Sequence, residues 1–176
     1  MRVISGSAKG HRLVSLEGVD TRPTADRVKE AVFSIIQGHF PCGNVLDLFA
    51  GSGGLGIEAL SRGARYADFV DSNRNAINVV KQNLTKTKFT NSASLHNVCA
   101  EKFLHTTDKK YDIIFLDPPY HQGLCDIAID IIGERKLLTD SGIIVCETAA
   151  EEEVSAQYSE NKCYKYGSTK ILICGG

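Results

Sequence analysis

Five short apolar runs, at residues 44–49, 66–71, 92–97, 111–117 and 142–147, alternate with segments of helical periodicity. This alternation limits the fold more than any other feature. A strand followed by about a dozen helical residues cannot pair with the next strand as a hairpin. Successive strands therefore lie parallel, with helices packed across the sheet. The run Tyr111-Asp-Ile-Ile-Phe-Leu-Asp117 is the most apolar and predicts a strand buried on both faces. Helices are expected from the glycine-rich turn to about residue 62, over 73–85, near 101–105 and over 124–132. The segments 162–166 and 169–174, around Gly167-Ser168, predict a closing hairpin. In open sheets of this kind a ligand lies beyond the carboxyl ends of the strands.

Ahead of this pattern, Val3-Ile4 and Leu13-Val14 flank Gly6 and Gly10 and predict a small hairpin over residues 1–16. Pro23 disfavours helix at Arg22, and Thr24 can cap a helix beginning at residue 25. Val28, Ala31, Val32, Ile35 and Ile36 then recur at helical spacing over 25–37, leaving Arg27, Lys29 and Glu30 outside the buried stripe. The 176 residues fit one domain, with 1–38 as an N-terminal extension and 39–176 as the core.

No apolar run approaches the ~18 residues of a membrane span. The first ten residues lack the apolar stretch of a secretory signal, so a cytoplasmic location is expected. Cys42, Cys99, Cys125, Cys146, Cys163 and Cys174 form no C-x-x-C pair and have no histidine at ligand spacing. All six are expected as reduced thiols, and no metal site is expected. The net charge of −1 gives no global case for nucleic acid. The first 16 residues, however, carry Arg2, Lys9, His11 and Arg12 and no acid. That arm suits either contact with phosphates or a solvated hairpin edge.

The predicted strand tips hold the chemistry. Gly51-Ser-Gly-Gly-Leu-Gly56 permits a tight turn and close backbone approach at a helix N-terminus. It also satisfies G-x-G-x-x-G, with Asp71 twenty residues beyond Gly51, which taken alone is a dinucleotide fingerprint. Asp47 argues against that reading, because a carboxylate at the loop mouth repels a pyrophosphate. It attracts the ammonium and sulfonium of S-adenosylmethionine. Asp71 can accept ribose hydroxyls in either cofactor. At another tip stands Asp117-Pro-Pro-Tyr120. Two prolines remove two N–H donors and leave carbonyls beside the Asp117 carboxylate. This acceptor-only array suits a base amino group, and Tyr120 offers a face for stacking.

Asp117-Pro118-Pro119-Tyr120 matches the (D/N)PP(Y/F) motif of amino-group methyltransferases, and Asp47-Leu-Phe-Ala-Gly-Ser-Gly53 resembles their cofactor loop. Together with Arg2-Val-Ile-Ser-Gly6, Lys9-Gly10, Thr21-Arg-Pro-Thr24, Asp26-Arg-Val-Lys-Glu30 and Tyr166-Gly-Ser-Thr169, the chain resembles the RsmD family. These are bacterial 16S ribosomal RNA (guanine-N2)-methyltransferases. The resemblance implies a Rossmann-like class I methyltransferase of the α/β class, with a seven-stranded, mostly parallel sheet and an antiparallel last strand. It implies that S-adenosylmethionine is held by Asp47, Phe49, Ala50, Gly51, Ser52, Gly53, Asp71, Ser72, Ala100 and Asp117. Asp117, Pro118, Pro119 and Tyr120 would hold the target guanine. Arg2, Lys9, His11, Arg12, Arg22, Thr24 and Arg27 would meet 16S ribosomal RNA or a small-subunit assembly particle. Cys99 stands where such proteins usually place an acid for the adenine amino group, so that role falls to the backbone near Ala100 or to Glu101. A monomer is the default expectation.

Other readings stay open on the residues alone. A nicotinamide oxidoreductase would use the glycine loop but leaves Asp117-Pro-Pro-Tyr120 unexplained. An RNA-binding module without catalysis would not need both tips. An adenine-N6 methyltransferase acting on DNA or RNA shares the chemistry, although 176 residues show no separate sequence-reading domain.

Overall fold

The computed structural model describes residues 1–16, 23–154 and 160–175. In chain order the elements are α1 (Pro23–Ile35), β1 (Asn44–Asp47), α2 (Gly54–Ser61), β2 (Tyr66–Val70), α3 (Arg74–Thr87), β3 (Ala93–His96) and α4 (Ala100–Thr106). They continue with β4 (Tyr111–Leu116), α5 (Leu124–Glu134), β5 (Leu138–Ala149), β6 (Glu160–Tyr166) and β7 (Thr169–Gly175). One sheet runs β3-β2-β1-β4-β5-β7-β6. Strands β1 to β5 pair in parallel, and β7 enters antiparallel between β5 and β6. The order reverses between β1 and β4, which opens a crevice at their tips.

Both faces of the central strands are buried, which explains their continuous apolar runs. Val45, Ile113 and Phe115 face one core with Ile57 of α2 and Val80 of α3. Leu46, Ile114 and Leu116 face the other, with Leu104 of α4 and Ile129 of α5. Strand β5 extends past the expected 142–147 at both ends. Leu138 pairs with Tyr111, and β7 carries the ladder on to Ala149. Pairing partners, which a local pattern does not reveal, set that length.

Three expectations need correction. Residues 1–16 form no hairpin of two strands but a bent loop with one antiparallel bridge, Arg2 to Arg12. Their apolar residues Val3, Ala8 and Leu13 are not an edge. They enter the same core as α1, α2 and the sheet. Helix α1 starts at Pro23, where proline's fixed φ and missing N–H suit a first turn. Arg22 lies outside the described residues, as does the side chain of Thr24. Finally, Cys125 and Cys146 are not separate thiols. Packing of α5 on β5 brings the two buried sulfurs together as a disulfide, while Cys42, Cys99, Cys163 and Cys174 are free.

Candidate active site

A cavity of about 670 Å³ opens at the tips of β1, β2, β4 and β5. Asp47, Phe49, Ala50, Gly51, Ser52, Asp71, Ser72, Ala100 and Asp117 line it, so most of the expected cofactor residues meet in one place. Gly53 is the exception. It sits behind the wall, at φ 79°, as the residue from which α2 starts. There its amide donates to the Ala50 carbonyl at 2.6 Å and closes the turn. Gly51, at φ 52°, has open space where a Cβ would stand, so a ligand can approach its backbone.

The loop after β1 is held from two sides. Leu48 donates its amide to Phe115 of β4, and Ala50 donates to Val70 of β2. Asp71 secures it further, accepting the Gly51 amide at 2.9 Å on Oδ2 and the Asn73 amide at 2.8 Å on Oδ1. Each carboxylate oxygen has two lone pairs, so both can still accept a ligand hydroxyl. Asp47 is 2% exposed and accepts the Gly56 amide at 2.9 Å. Burial pushes its pKa up to about 7, the Gly56 bond opposes this, and the charge of Asp71 adds to it.

At the next tip, Asp117 is exposed to the cavity yet ringed by protein. This desolvation, with the charges of Glu147 and Asp47, holds its carboxyl well above the usual range. Pro118 and Pro119 line the cavity beside it. Tyr120 does not line it. Its ring stands at the rim, 37% exposed, and its hydroxyl donates to Glu147 Oε1 at 3.0 Å.

Glu147 is a site residue that the sequence motifs miss, although it ends an apolar run as Asp71 and Asp117 do. With Glu101 it brings the acids lining the cavity to five, against Lys29. Lys29 was expected on the outer face of α1 but is 3% exposed. Its ammonium donates to the Arg2 carbonyl at 2.6 Å and lies 3.5 Å from Glu58. Burial lowers its pKa, and Glu58 opposes that shift. Such an acidic cavity repels a pyrophosphate and suits a cation without phosphate. Cys99 lines it together with Ala100 and Glu101.

The candidate RNA residues lie elsewhere. Arg2, Lys9, His11, Arg12 and Arg27 are exposed, and the bridge sets Arg2 beside Arg12. Ser15 and Leu16, from the same segment, reach the cavity wall. Among the described residues no cluster is placed to hold a metal ion, and no helix is long and apolar enough to cross a membrane.

The sheet order, the antiparallel β7 and the acid-lined cavity at the switch point define a class I, S-adenosylmethionine-dependent methyltransferase. The family described as Conserved hypothetical protein 95 matches residues 1–174. The chain belongs to this family, the RsmD family. YlbH of Bacillus subtilis is 46% identical over 98% of this chain and 97% of its own. Ribosomal RNA small subunit methyltransferase D of Haemophilus influenzae is 36% identical over 86% of this chain and 80% of its own. The solved structure of yhhF from Escherichia coli superposes with a TM-score of 0.86 at 32% identity, covering 98% of this chain and 96% of that one. The Thermus thermophilus 16S rRNA N2 G1207 methyltransferase RsmC, solved with AdoMet and guanosine, shares the fold. Its TM-score is 0.67 at 19% identity, over 91% of this chain and 44% of that one.

Proposed function

We propose that this protein methylates the exocyclic N2 amino group of a guanine in small-subunit ribosomal RNA. The observation that carries this reading is the opening of the Asp117-Pro118-Pro119 tip into the same cavity as Asp47, Gly51 and Asp71. The acceptor for an amino group and the seat for a cationic cofactor are thus one space.

S-adenosylmethionine, when bound, would supply a methyl group carried on a sulfonium, with the C–S bond breaking as the N2–C bond forms. Asp71 is suited to the ribose hydroxyls, Gly51 and Ser52 to backbone contact, and Asp47 to the positive charge. Asp117 accepts one N2 hydrogen and the Pro118 carbonyl is suited to the other. Holding both hydrogens frees the nitrogen lone pair from the ring and aims it. After transfer the nitrogen carries a positive charge and an excess proton, which passes to Asp117. A carboxylate with a raised pKa is the better base for that step. The target base must leave its stack to enter, and Tyr120 at the rim offers a face for it. Arg2, Lys9, His11, Arg12 and Arg27 are suited to the phosphates around it.

Nucleoside mass mapping of ribosomal RNA from cells with and without the gene tests this. Loss of one N2-methylguanosine from the small subunit is the expected result. Loss of an N6-methyladenosine instead would transfer the chemistry to adenine, and an unchanged profile would remove the proposal.

A further inference from the structure

The transfer step leaves Glu147 without a role, yet Glu147 lines the cavity together with Asp117. Leu116 and Cys146 are register partners in the parallel pair of β4 and β5. The next residues along, Asp117 just past the end of β4 and Glu147 still within β5, therefore stand side by side at one level. The charge of Glu147 adds to the burial that raises the Asp117 carboxyl. Oε1 of Glu147 accepts the Tyr120 hydroxyl at 3.0 Å, and no described residue donates to Oε2.

Two acceptors side by side call for a ligand with two donors side by side. Guanine has them, with N1–H next to the N2 amino group. Adenine sets the N1 lone pair beside its amino group, and cytosine sets N3 there. Either would face a carboxylate with a lone pair and leave the half-buried Glu147 acceptor unmatched, which costs affinity. We infer that Glu147 is a specificity-determining residue that accepts the N1–H of the target guanine while Asp117 accepts an N2 hydrogen. The inference rests on the guanine reading and adds how the base is told from others.

The test uses RNA carrying guanine or 2-aminopurine at the mapped position. 2-Aminopurine keeps the reacting amino group but has a bare N1. The wild-type enzyme should favour guanine in kcat/KM by at least about tenfold. Glu147→Gln keeps an oxygen for Tyr120 and gains an NH₂ that can donate to a bare N1. Its guanine preference should collapse by about tenfold or more, with the 2-aminopurine rate rising in absolute terms. 2-Aminopurine also lacks O6, but comparing the two enzymes cancels that difference. Tyr120→Phe should leave the preference at its wild-type value.

An unchanged ratio in Glu147→Gln, with both rates lowered alike, would show that Glu147 only supports Tyr120, and would overturn the inference. So would a wild-type enzyme that uses both bases equally, a measurement independent of any variant. A wild-type enzyme inactive on guanine but active on another base would instead defeat the guanine reading itself.

Discussion

Replacing Asp47 by asparagine separates what the carboxylate does for a cation from what it costs the fold. Burial, with the charge of Asp71 and against the Gly56 bond, moves its pKa from 3.8 to about 7. A folded-state pKa above the unfolded value means that the native protein binds the proton more tightly. Stability is then lost as pH rises from about 4 to about 7, and the loss is constant above that. At about 1.4 kcal/mol per pH unit, the penalty saturates near ~4 kcal/mol. Asparagine carries no charge and keeps an oxygen for the Gly56 amide. Asp47→Asn should therefore stabilise the free protein by up to about 4 kcal/mol at pH 8, and by progressively less toward pH 4. Urea unfolding at pH 8 and pH 5 measures this. The same change removes the anion suited to a sulfonium, so affinity for S-adenosylmethionine should fall more than affinity for S-adenosylhomocysteine. Wild-type affinity for the sulfonium ligand should climb about tenfold between pH 6 and pH 8, while the variant shows no such climb. A variant less stable than wild type at pH 8 would show that the buried charge of Asp47 does not cost the fold stability. One that kept the wild-type difference between the two ligands would refute the role of the carboxylate toward the cation.

Asp117→Ala should cut single-turnover methyl transfer far more than RNA affinity, because the contact strengthens only in the transition state. Equal turnover would exclude Asp117 from the chemistry. Wild-type turnover should also rise with pH as Asp117 ionises, and a flat profile would count against its role as base. Asp71→Ala should weaken cofactor binding by at least ~1.5–3 kcal/mol in calorimetry, because a charged acceptor is lost and the Gly51 loop is released with it. Deleting residues 1–16 removes Val3, Ala8 and Leu13 from the core, so melting temperature and cofactor affinity should fall together. The double change Lys9→Gln and Arg12→Gln should lower RNA affinity alone, as read by filter binding at fixed salt.

The central strands are legible in the sequence because burial on both faces writes itself as an unbroken apolar run. Asp71 and Asp117 are legible because each closes such a run, and Asp47 because it stands just ahead of the glycine loop. The same rule applied to Ile143-Ile-Val-Cys-Glu147 finds the remaining acid, but no proline or glycine motif stands beside Glu147 to mark it. Lys29 is not legible, because helical periodicity marks only which positions are apolar. It does not mark which cation finds a carboxylate and a carbonyl inside the fold. Val3 and Leu13 look like an edge because their role depends on α2 and α3, far along the chain. Cys125 and Cys146 are 21 residues apart, and only the packing of α5 on β5 makes them neighbours.

Glu58 gives the molecule an unusual joint. Fully buried on α2, its carboxylate accepts the amides of Ile4 and Ser5 at 2.8 and 3.0 Å and the Arg62 guanidinium at 2.9 Å, beside the Lys29 ammonium. One side chain thus ties the N-terminal segment and α1 to the helix that rises out of the glycine loop. The basic segment is therefore not a module that could be exchanged between relatives as a detachable tool. An alteration in how it sits is passed to the turn around Gly51 through Glu58 and through Asn83, which donates to both the Val14 and Ser52 carbonyls, so the placement of the segment and the shape of the loop change together.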